Sequence, residues 1–194
     1  MLMVVIMAIA AAGFAVGFRR GVARHAAVSP APPTAMDSST CRPPVQHPDP
    51  VVLLHGTFAT TPWGLVGPAL ADRGYCVFTF DYGDRGTGEI AQSAQDLAAF
   101  VDRLLASTHA QRVSIVGHSE GGMMPRYYIR FLGGAAKVRD LIGLSPSNHG
   151  TQNPLVLVGA QLGCTACAEQ EATGPALLNR LNPPGRPTQK RPDR

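Results

Sequence analysis

Four short runs of apolar residues recur along the middle of the chain, and each is followed by a turn signal. Runs of four to eight branched or aromatic residues with a turn at their end are typical of buried β-strands. We therefore predict strands at Val51–Leu54, within YCVFTFDYG ahead of its final glycine, at Val113–Val116 and at Leu141–Leu144.

Between these runs the apolar residues take the three- and four-residue spacing of an amphipathic helix. Leu65–Asp72, Glu89–Ser107 and Gly121–Leu132 follow this pattern. The second is the clearest, with apolar positions Ile90, Ala94, Leu97, Ala98, Val101, Leu104 and Leu105. Because strands that alternate with helices build sheets buried on both faces, we predict an α/β fold with a mostly parallel sheet and helices on both faces.

The first eighteen residues, Met1–Phe18, contain no charged side chain. This length suits a secretory leader or a short membrane anchor. A leader has its positive charge before the apolar run, whereas Arg19, Arg20 and Arg24 follow it here. As an anchor, that arrangement would leave the body of the chain in the cytoplasm. We expect a secreted protein whose leader is atypical or begins upstream, and membrane association through Met1–Phe18 is the alternative.

Proline-rich segments flank the predicted core, which spans residues 48–182. We interpret residues 19–47 as a linker and residues 183–194 as a disordered basic tail. The last fifteen residues account for the whole formal charge of +4, through Arg180, Arg186, Lys190, Arg191 and Arg194 against Asp193. Because the body has no basic stripe, nucleic-acid binding is not expected.

A serine lies at the corner between the third predicted strand and the helix after it, in Gly117-His118-Ser119-Glu120-Gly121. A strand, G-x-S-x-G and a helix in this order are the context of a nucleophile elbow, in which a strained turn exposes the serine oxygen. The flanking glycines leave room for so tight a turn. We therefore predict that Ser119 is a catalytic nucleophile, and that free N–H groups at the start of the helix face it.

The loop after the first predicted strand, His55-Gly56-Thr57, suits the second half of such a site. A nucleophile elbow is completed by a backbone N–H from an earlier loop, which stabilises the negative oxygen formed during acyl transfer. We predict Thr57 N–H and Glu120 N–H as the two donors of this oxyanion hole. The imidazole of His55 is interpreted as a structural group.

Five segments together resemble the secreted class 2 triacylglycerol lipases and esterases of actinobacteria, over about residues 41–182. They are PVVLLHGTF, GYCVFTFDYG, GTGEIAQSAQDLAAFVDRLL, GHSEGGMMPRYYIRFLGGAAKV and LIGLSPSNHGT. The resemblance implies an α/β-hydrolase that cleaves lipid or small carboxylic esters without a metal or an organic cofactor. The family has glutamine after the nucleophile, whereas this chain has Glu120, whose carboxylate would oppose a nearby oxyanion if it pointed inward.

The family's catalytic acid and histidine have no clear counterpart in this sequence. In this fold they follow the nucleophile in the order acid, then histidine, but the only histidine after Ser119 is His149, within SPSNHGT. We therefore expect an incomplete α/β-hydrolase fold with an open sheet edge prone to association, and doubtful activity. If a base exists within these residues, the candidate is His149, with Asp140, Glu169 or Glu171 to orient it. The alternatives are a non-catalytic chain that at most binds lipid, and transfer of the acyl group to an acceptor other than water.

The four cysteines fit a secreted origin. The resemblance supports a disulfide between Cys41 and Cys76, which would leave Cys164 and Cys167 as the second pair. A redox dithiol or half of a zinc site are alternatives for the latter, but no second nearby cysteine pair supports zinc. No metal site is expected.

Overall fold

The computed structural model describes residues 41–60, 63–171 and 176–183. The predicted leader or anchor, most of the predicted linker and the tail from residue 184 onward lie outside these residues. Within the described ranges, no helix combines the length and the apolar character needed to span a membrane.

The described residues form one four-stranded sheet in the order β2-β1-β3-β4, in which every neighbouring pair is parallel. The strands are β1 (Val51–Leu54), β2 (Val77–Phe80), β3 (Val113–His118) and β4 (Val138–Leu144). All four predicted strands are confirmed. β4 begins earlier than predicted because Arg139 and Asp140 are exposed on the edge strand, so hydrophobicity does not mark them.

Helices connect these strands and cover the sheet. They are α1 (Val66–Ala71), α2 (Gly83–Gly86), α3 (Ile90–Thr108), α4 (Glu120–Met123), α5 (Pro125–Phe131), α6 (Pro154–Gln161), α7 (Thr165–Glu169) and α8 (Ala176–Leu181), with a 3-10 turn at Gly134–Ala136. The helix predicted over Gly121–Leu132 is divided into α4 and α5. Proline at the first position of α5 has no N–H with which to continue the hydrogen bonds of α4.

The helices after β4 were not predicted from the sequence. α6 has the sequence PLVLVGAQ, which is apolar on every side and shows no helical period. Asn153 caps its first turn, where the side-chain Oδ1 accepts a hydrogen bond from Leu155 N–H at 3.0 Å. α7 and α8 have only five and six residues, too few to display a period.

Side chains along β1 point alternately to the two faces of the sheet, so the core is divided into two clusters, one on each face. Val52 and Leu54 belong to the larger cluster with α3, α5, α7 and α8, whereas Val51 and Leu53 belong to a smaller cluster with α1. All four side chains are buried. The prediction of helices on both faces is therefore confirmed.

The edge strand β4 is the least covered part of the sheet. Ile142 is 50% exposed and Leu144 is 42% exposed. This exposure agrees with the expected open edge, and association through it stays a prediction.

Two disulfides link the cysteines, Cys41–Cys76 and Cys164–Cys167, and no cysteine is free. The first bond ties the start of the described chain to the residue before β2. The pairing that the resemblance supports is confirmed.

We expect the two disulfides to differ in their effect on stability, because the gain grows with the length of the closed loop. The cysteines are separated by 35 residues in one case and by 3 in the other. Replacing Cys41 and Cys76 by serine should lower the free energy of unfolding by about 4 kcal/mol, and replacing Cys164 and Cys167 by about 1.5 kcal/mol. Urea denaturation measures both, and equal losses would contradict this loop-length account.

Candidate active site

Ser119 lies between the end of β3 at His118 and the start of α4 at Glu120. Its backbone angles are φ 53° and ψ −121°, a region that residues with side chains rarely adopt. The Ser119 N–H donates to the Leu144 carbonyl at 2.9 Å, and the Ser119 carbonyl accepts from Gly122 N–H at 3.0 Å. These bonds hold the strained turn, and the geometry is that of a nucleophile elbow.

Gly117 and Gly121 allow contacts that no side chain would permit. A Cβ atom at Gly117 would lie 1.9 Å from the Gly121 carbonyl oxygen, and one at Gly121 would lie 2.3 Å from the His55 carbonyl oxygen. The second contact presses the first turn of α4 against the end of β1. Both glycines of the motif therefore have a steric cause.

The loop His55-Gly56-Thr57 passes beside the serine. A Cβ atom at Gly56 would lie 2.9 Å from Ser119 Cβ. The parallel register pairs Leu54 of β1 with Gly117 of β3, so the two loops leave the sheet at the same edge. The structure thus brings the loop that carries Thr57 beside Ser119 and Glu120, the residues that the sequence singled out.

His55 is buried and bonded within the scaffold. Its Nε2 accepts a hydrogen bond from Tyr82 N–H at 3.2 Å, and its Nδ1 lies 2.9 Å from the Gly56 carbonyl oxygen, to which it can only donate. The ring stacks on Tyr82 at 4.3 Å between centroids. Burial lowers the pKa of His55, which favours this neutral form. These contacts agree with a structural role for the imidazole.

The side chain of Glu120 points into the protein and is fully buried. Its Oε2 accepts from the Thr57 hydroxyl at 2.6 Å and from the Gln170 amide at 3.3 Å. Gln170 Nε2 also donates to Thr57 Oγ1 at 3.0 Å, and Gln170 Oε1 accepts from the Ser147 hydroxyl at 2.7 Å. Burial raises the pKa of the Glu120 carboxyl to about 8, and the bonds from Thr57 and Gln170 offset part of that rise.

Sequence reasoning missed Gln170 and Ser147. Ser147 lies inside SPSNHGT, so the motif itself was a signal that this segment contacts the site. Gln170 follows α7 in no recognisable pattern, and only the tertiary fold brings it to Glu120.

A left-handed turn, α2, closes over this network. All four of its residues have positive φ, at Gly83 (56°), Asp84 (46°), Arg85 (63°) and Gly86 (71°). Arg85 Nη2 donates to the Phe58 carbonyl at 2.7 Å. A Cβ atom at Gly86 would lie 3.0 Å from Glu120 Oε2 and 3.1 Å from Thr57 Cα. The turn therefore packs directly on the predicted oxyanion loop.

His149 is exposed on the loop after β4. No hydrogen bond joins it to Ser119 Oγ among the described residues, and Asp140 is exposed in the middle of β4. Glu169 Oε2 accepts from the N–H of Ile90 at 2.8 Å and so caps α3 instead of orienting a histidine. Glu171 pairs through its backbone with Thr151. The role of His149 as a substitute base stays a prediction.

An apolar cavity of about 540 Å³ opens beside Phe58, the residue that follows Thr57. Leucine and valine residues of α6, together with the residue that follows it, form one wall of the cavity. Thr87 and Cys164 are among the residues that line the rest of it. The residues facing the cavity on this wall are Leu155, Val158 and Leu162. They are 72%, 53% and 82% exposed, so the groove is open to solvent. Among the described residues, no cluster of histidine, cysteine, aspartate or glutamate could hold a metal ion.

Residues 48–182 match the model of the class 2 lipase family, and the chain belongs to that family. It is 28% identical over 150 residues to a triacylglycerol lipase of Pseudomonas fragi, covering 69% of this chain and 47% of that lipase. It is 34% identical over 92 residues to a triacylglycerol lipase of Pseudarthrobacter phenanthrenivorans, covering 40% of this chain and 27% of that one. The chain thus spans less than half the length of these relatives.

Solved structures support the α/β-hydrolase fold. Aspergillus fumigatus lipase B superposes with a TM-score of 0.59 at 18% identity, over 71% of this chain and 34% of that one. The propeptide form of Bacillus licheniformis lipase BlEst2 gives a TM-score of 0.54 at 20% identity, over 71% and 33% of the two chains. At these identities the likeness concerns the fold alone.

We expect Gly121→Ala to prevent folding or to lower the free energy of unfolding by more than about 4 kcal/mol, because the new Cβ overlaps backbone. Gly64→Ala is the matched control, since an added Cβ there meets nothing within 4 Å. Its effect should stay within about 0.5 kcal/mol. Urea unfolding followed by circular dichroism measures both, and a Gly121→Ala variant as stable as the wild type would contradict this packing.

Gly86→Ala should cost more stability than Gly133→Ala. Both glycines have positive φ, 71° and 78°, but a Cβ at Gly133 meets nothing within 4 Å whereas one at Gly86 meets Thr57 and Glu120. The backbone strain is shared, so the difference between the two variants isolates the contact with the site, which we expect to be about 1 to 3 kcal/mol. Equal losses in thermal unfolding would show that the turn does not press on the oxyanion loop.

Proposed function

We propose that this protein hydrolyses carboxylic esters of lipids, with Ser119 as the nucleophile. One observation carries the proposal: Ser119 has a strained backbone at a strand-to-helix junction, and Gly56 of the neighbouring loop packs against its Cβ. In a nucleophile elbow, this arrangement presents the serine oxygen to backbone N–H groups of the following helix and of a neighbouring loop. Membership of the class 2 lipase family supports the same chemistry.

In the proposed reaction Ser119 Oγ adds to the ester carbonyl carbon and loses its proton to a general base. The carbonyl oxygen becomes negative and accepts hydrogen bonds from the N–H groups of Thr57 and Glu120, each worth about 3 kcal/mol in such sites. The alcohol leaves with a proton, and water then releases the acid from the acyl-enzyme. Within the described residues His149 is the candidate base. No metal or organic cofactor takes part in these steps.

The apolar groove beside Phe58 is proposed to hold the acyl chain. Phe58 follows the oxyanion residue Thr57, so a carbonyl held at Ser119 would leave its chain close to the groove entrance. Leu155, Val158 and Leu162 expose apolar surface in the groove. Covering that surface with an alkyl chain removes it from water and is therefore favourable. We therefore favour esters of lipids as substrates over short water-soluble esters.

A secreted location is proposed together with this function. Two disulfides are expected of a protein that folds in an oxidising compartment. The apolar segment Met1–Phe18 would serve as the leader, and retention of that segment as a membrane anchor is the alternative.

The proposal predicts that the full chain hydrolyses p-nitrophenyl butyrate and that Ser119→Ala abolishes the reaction. Both proteins must first show the same circular dichroism spectrum. Equal inactivity of the two folded proteins toward both the butyrate and p-nitrophenyl decanoate would reject the hydrolase proposal and favour a chain that at most binds lipid.

Chain-length preference tests the acyl groove. Leu162→Asp should lower kcat/KM for p-nitrophenyl decanoate about tenfold more than for the butyrate, because a charge replaces an apolar wall. Leu65→Asp is the control, since Leu65 is 88% exposed, close to the 82% of Leu162, and does not line the cavity. If both variants changed the two rates alike, the acyl chain would bind elsewhere.

A further inference from the structure

The proposed mechanism uses the backbone N–H of Glu120 but assigns no role to its carboxyl side chain. That carboxyl is 0% exposed, yet its two hydrogen-bond donors, the Thr57 hydroxyl and the Gln170 amide, are both neutral. Its second oxygen, Oε1, has no hydrogen-bond partner among the described residues. No lysine or arginine pairs with it in that part of the chain. A buried carboxyl of this kind is unusual and needs a reason.

The charges around Glu120 do not compensate an ionised carboxylate. Glu169 of α7 has the same sign and adds to the rise in the pKa of Glu120, while burial is the largest cause. His55 is neutral, and Arg85 directs its guanidinium to the Phe58 carbonyl. The titratable or charged groups on the segments around this carboxyl are His55, Asp81, Tyr82, Asp84, Arg85, His118, Glu169 and Glu171. The environment therefore favours the protonated acid.

Both proposed oxyanion donors belong to residues whose side chains are bonded to each other. The bond from Thr57 Oγ1 to Glu120 Oε2 spans the gap between the loop after β1 and the first turn of α4. Gln170 joins the same two groups from the end of α7. This triangle fixes the two N–H groups relative to each other, and a catalytic oxyanion needs donors that are already in position.

We propose that Glu120 is a positioning residue of the oxyanion hole that acts as a neutral acid: its protonated carboxyl clamps Thr57 to α4, and loss of that proton places a negative charge beside the hole and slows reaction at Ser119. This inference rests on the proposed function. The charge would oppose the oxyanion in a site of low dielectric, where such repulsion is strong.

The first test measures the rate at which a fluorophosphonate phosphonylates Ser119 between pH 5 and pH 10. Serine oxygen bonds to phosphorus, fluoride leaves and the serine proton passes to base or solvent. The ratio of the Glu120→Gln rate to the wild-type rate should be constant below about pH 7 and should rise through about pH 8, by up to about tenfold per pH unit. A ratio independent of pH would overturn the proposal.

Two further variants separate a positioning role from a general structural one. Thr57→Val keeps the backbone N–H but removes a hydrogen bond that lowers the pKa of Glu120, so the alkaline loss should move to higher pH. Glu169→Gln removes a neighbouring carboxylate outside the hole, so the alkaline loss should persist and move slightly to lower pH. Identical profiles for Thr57→Val and the wild type would count against the clamp.

A second measurement does not depend on reaction at Ser119. The folded pKa of about 8 lies above the ordinary value of 4.5, so the stability contributed by the protonated carboxyl is complete below about pH 4.5 and is lost as pH rises toward 8. The unfolding constant of the wild type should increase relative to that of Glu120→Gln by about tenfold per pH unit across this window. A constant ratio in urea denaturation would overturn the neutral-acid proposal. Failure of labelling in every variant, with this trend intact, would instead reject the proposed hydrolase function.

Discussion

Contact between two backbones, at Gly121 and His55, is the constraint on which the rest of the site depends. The carbonyl oxygen of His55 lies only 2.3 Å from the position that a Cβ of residue 121 would take, so the loop after β1 and the first turn of α4 touch without an intervening side chain. That approach brings Thr57 to Glu120 and Gly56 to Ser119. A single methyl group at position 121 would separate the two halves of the proposed oxyanion hole.

The surrounding structure maintains several unfavourable features near this contact. Ser119 has a positive φ, α2 turns in the left-handed sense, and Glu120 buries a carboxyl without a cation in the described part of the chain. Such features persist only where the rest of the fold determines them, and they are typical of functional sites. The two-sided core about β1 and the Cys41–Cys76 disulfide provide that support.

Much of the scaffold could be predicted because local patterns specify it. Apolar runs marked the strands, the period of α3 marked the long helix, and glycine spacing marked Ser119. The remaining elements depend on tertiary contacts. α6 lacks a period, α2 requires contact with the oxyanion loop to be maintained, and Gln170 meets Glu120 across 50 residues of sequence. The sequence raised the question of where the Glu120 carboxyl points, and only the packing of α7 and α2 around it answers that.

A crystal structure of the full chain after reaction with a phosphonate ester would test the central claim most directly. The account predicts phosphorus bonded to Ser119 Oγ, with a phosphonyl oxygen within about 3 Å of both Thr57 N and Glu120 N. The alkyl group should then extend toward the wall formed by α6. Reaction at another residue, or an oxygen that contacts neither N–H, would contradict the assignment of this corner as the active site.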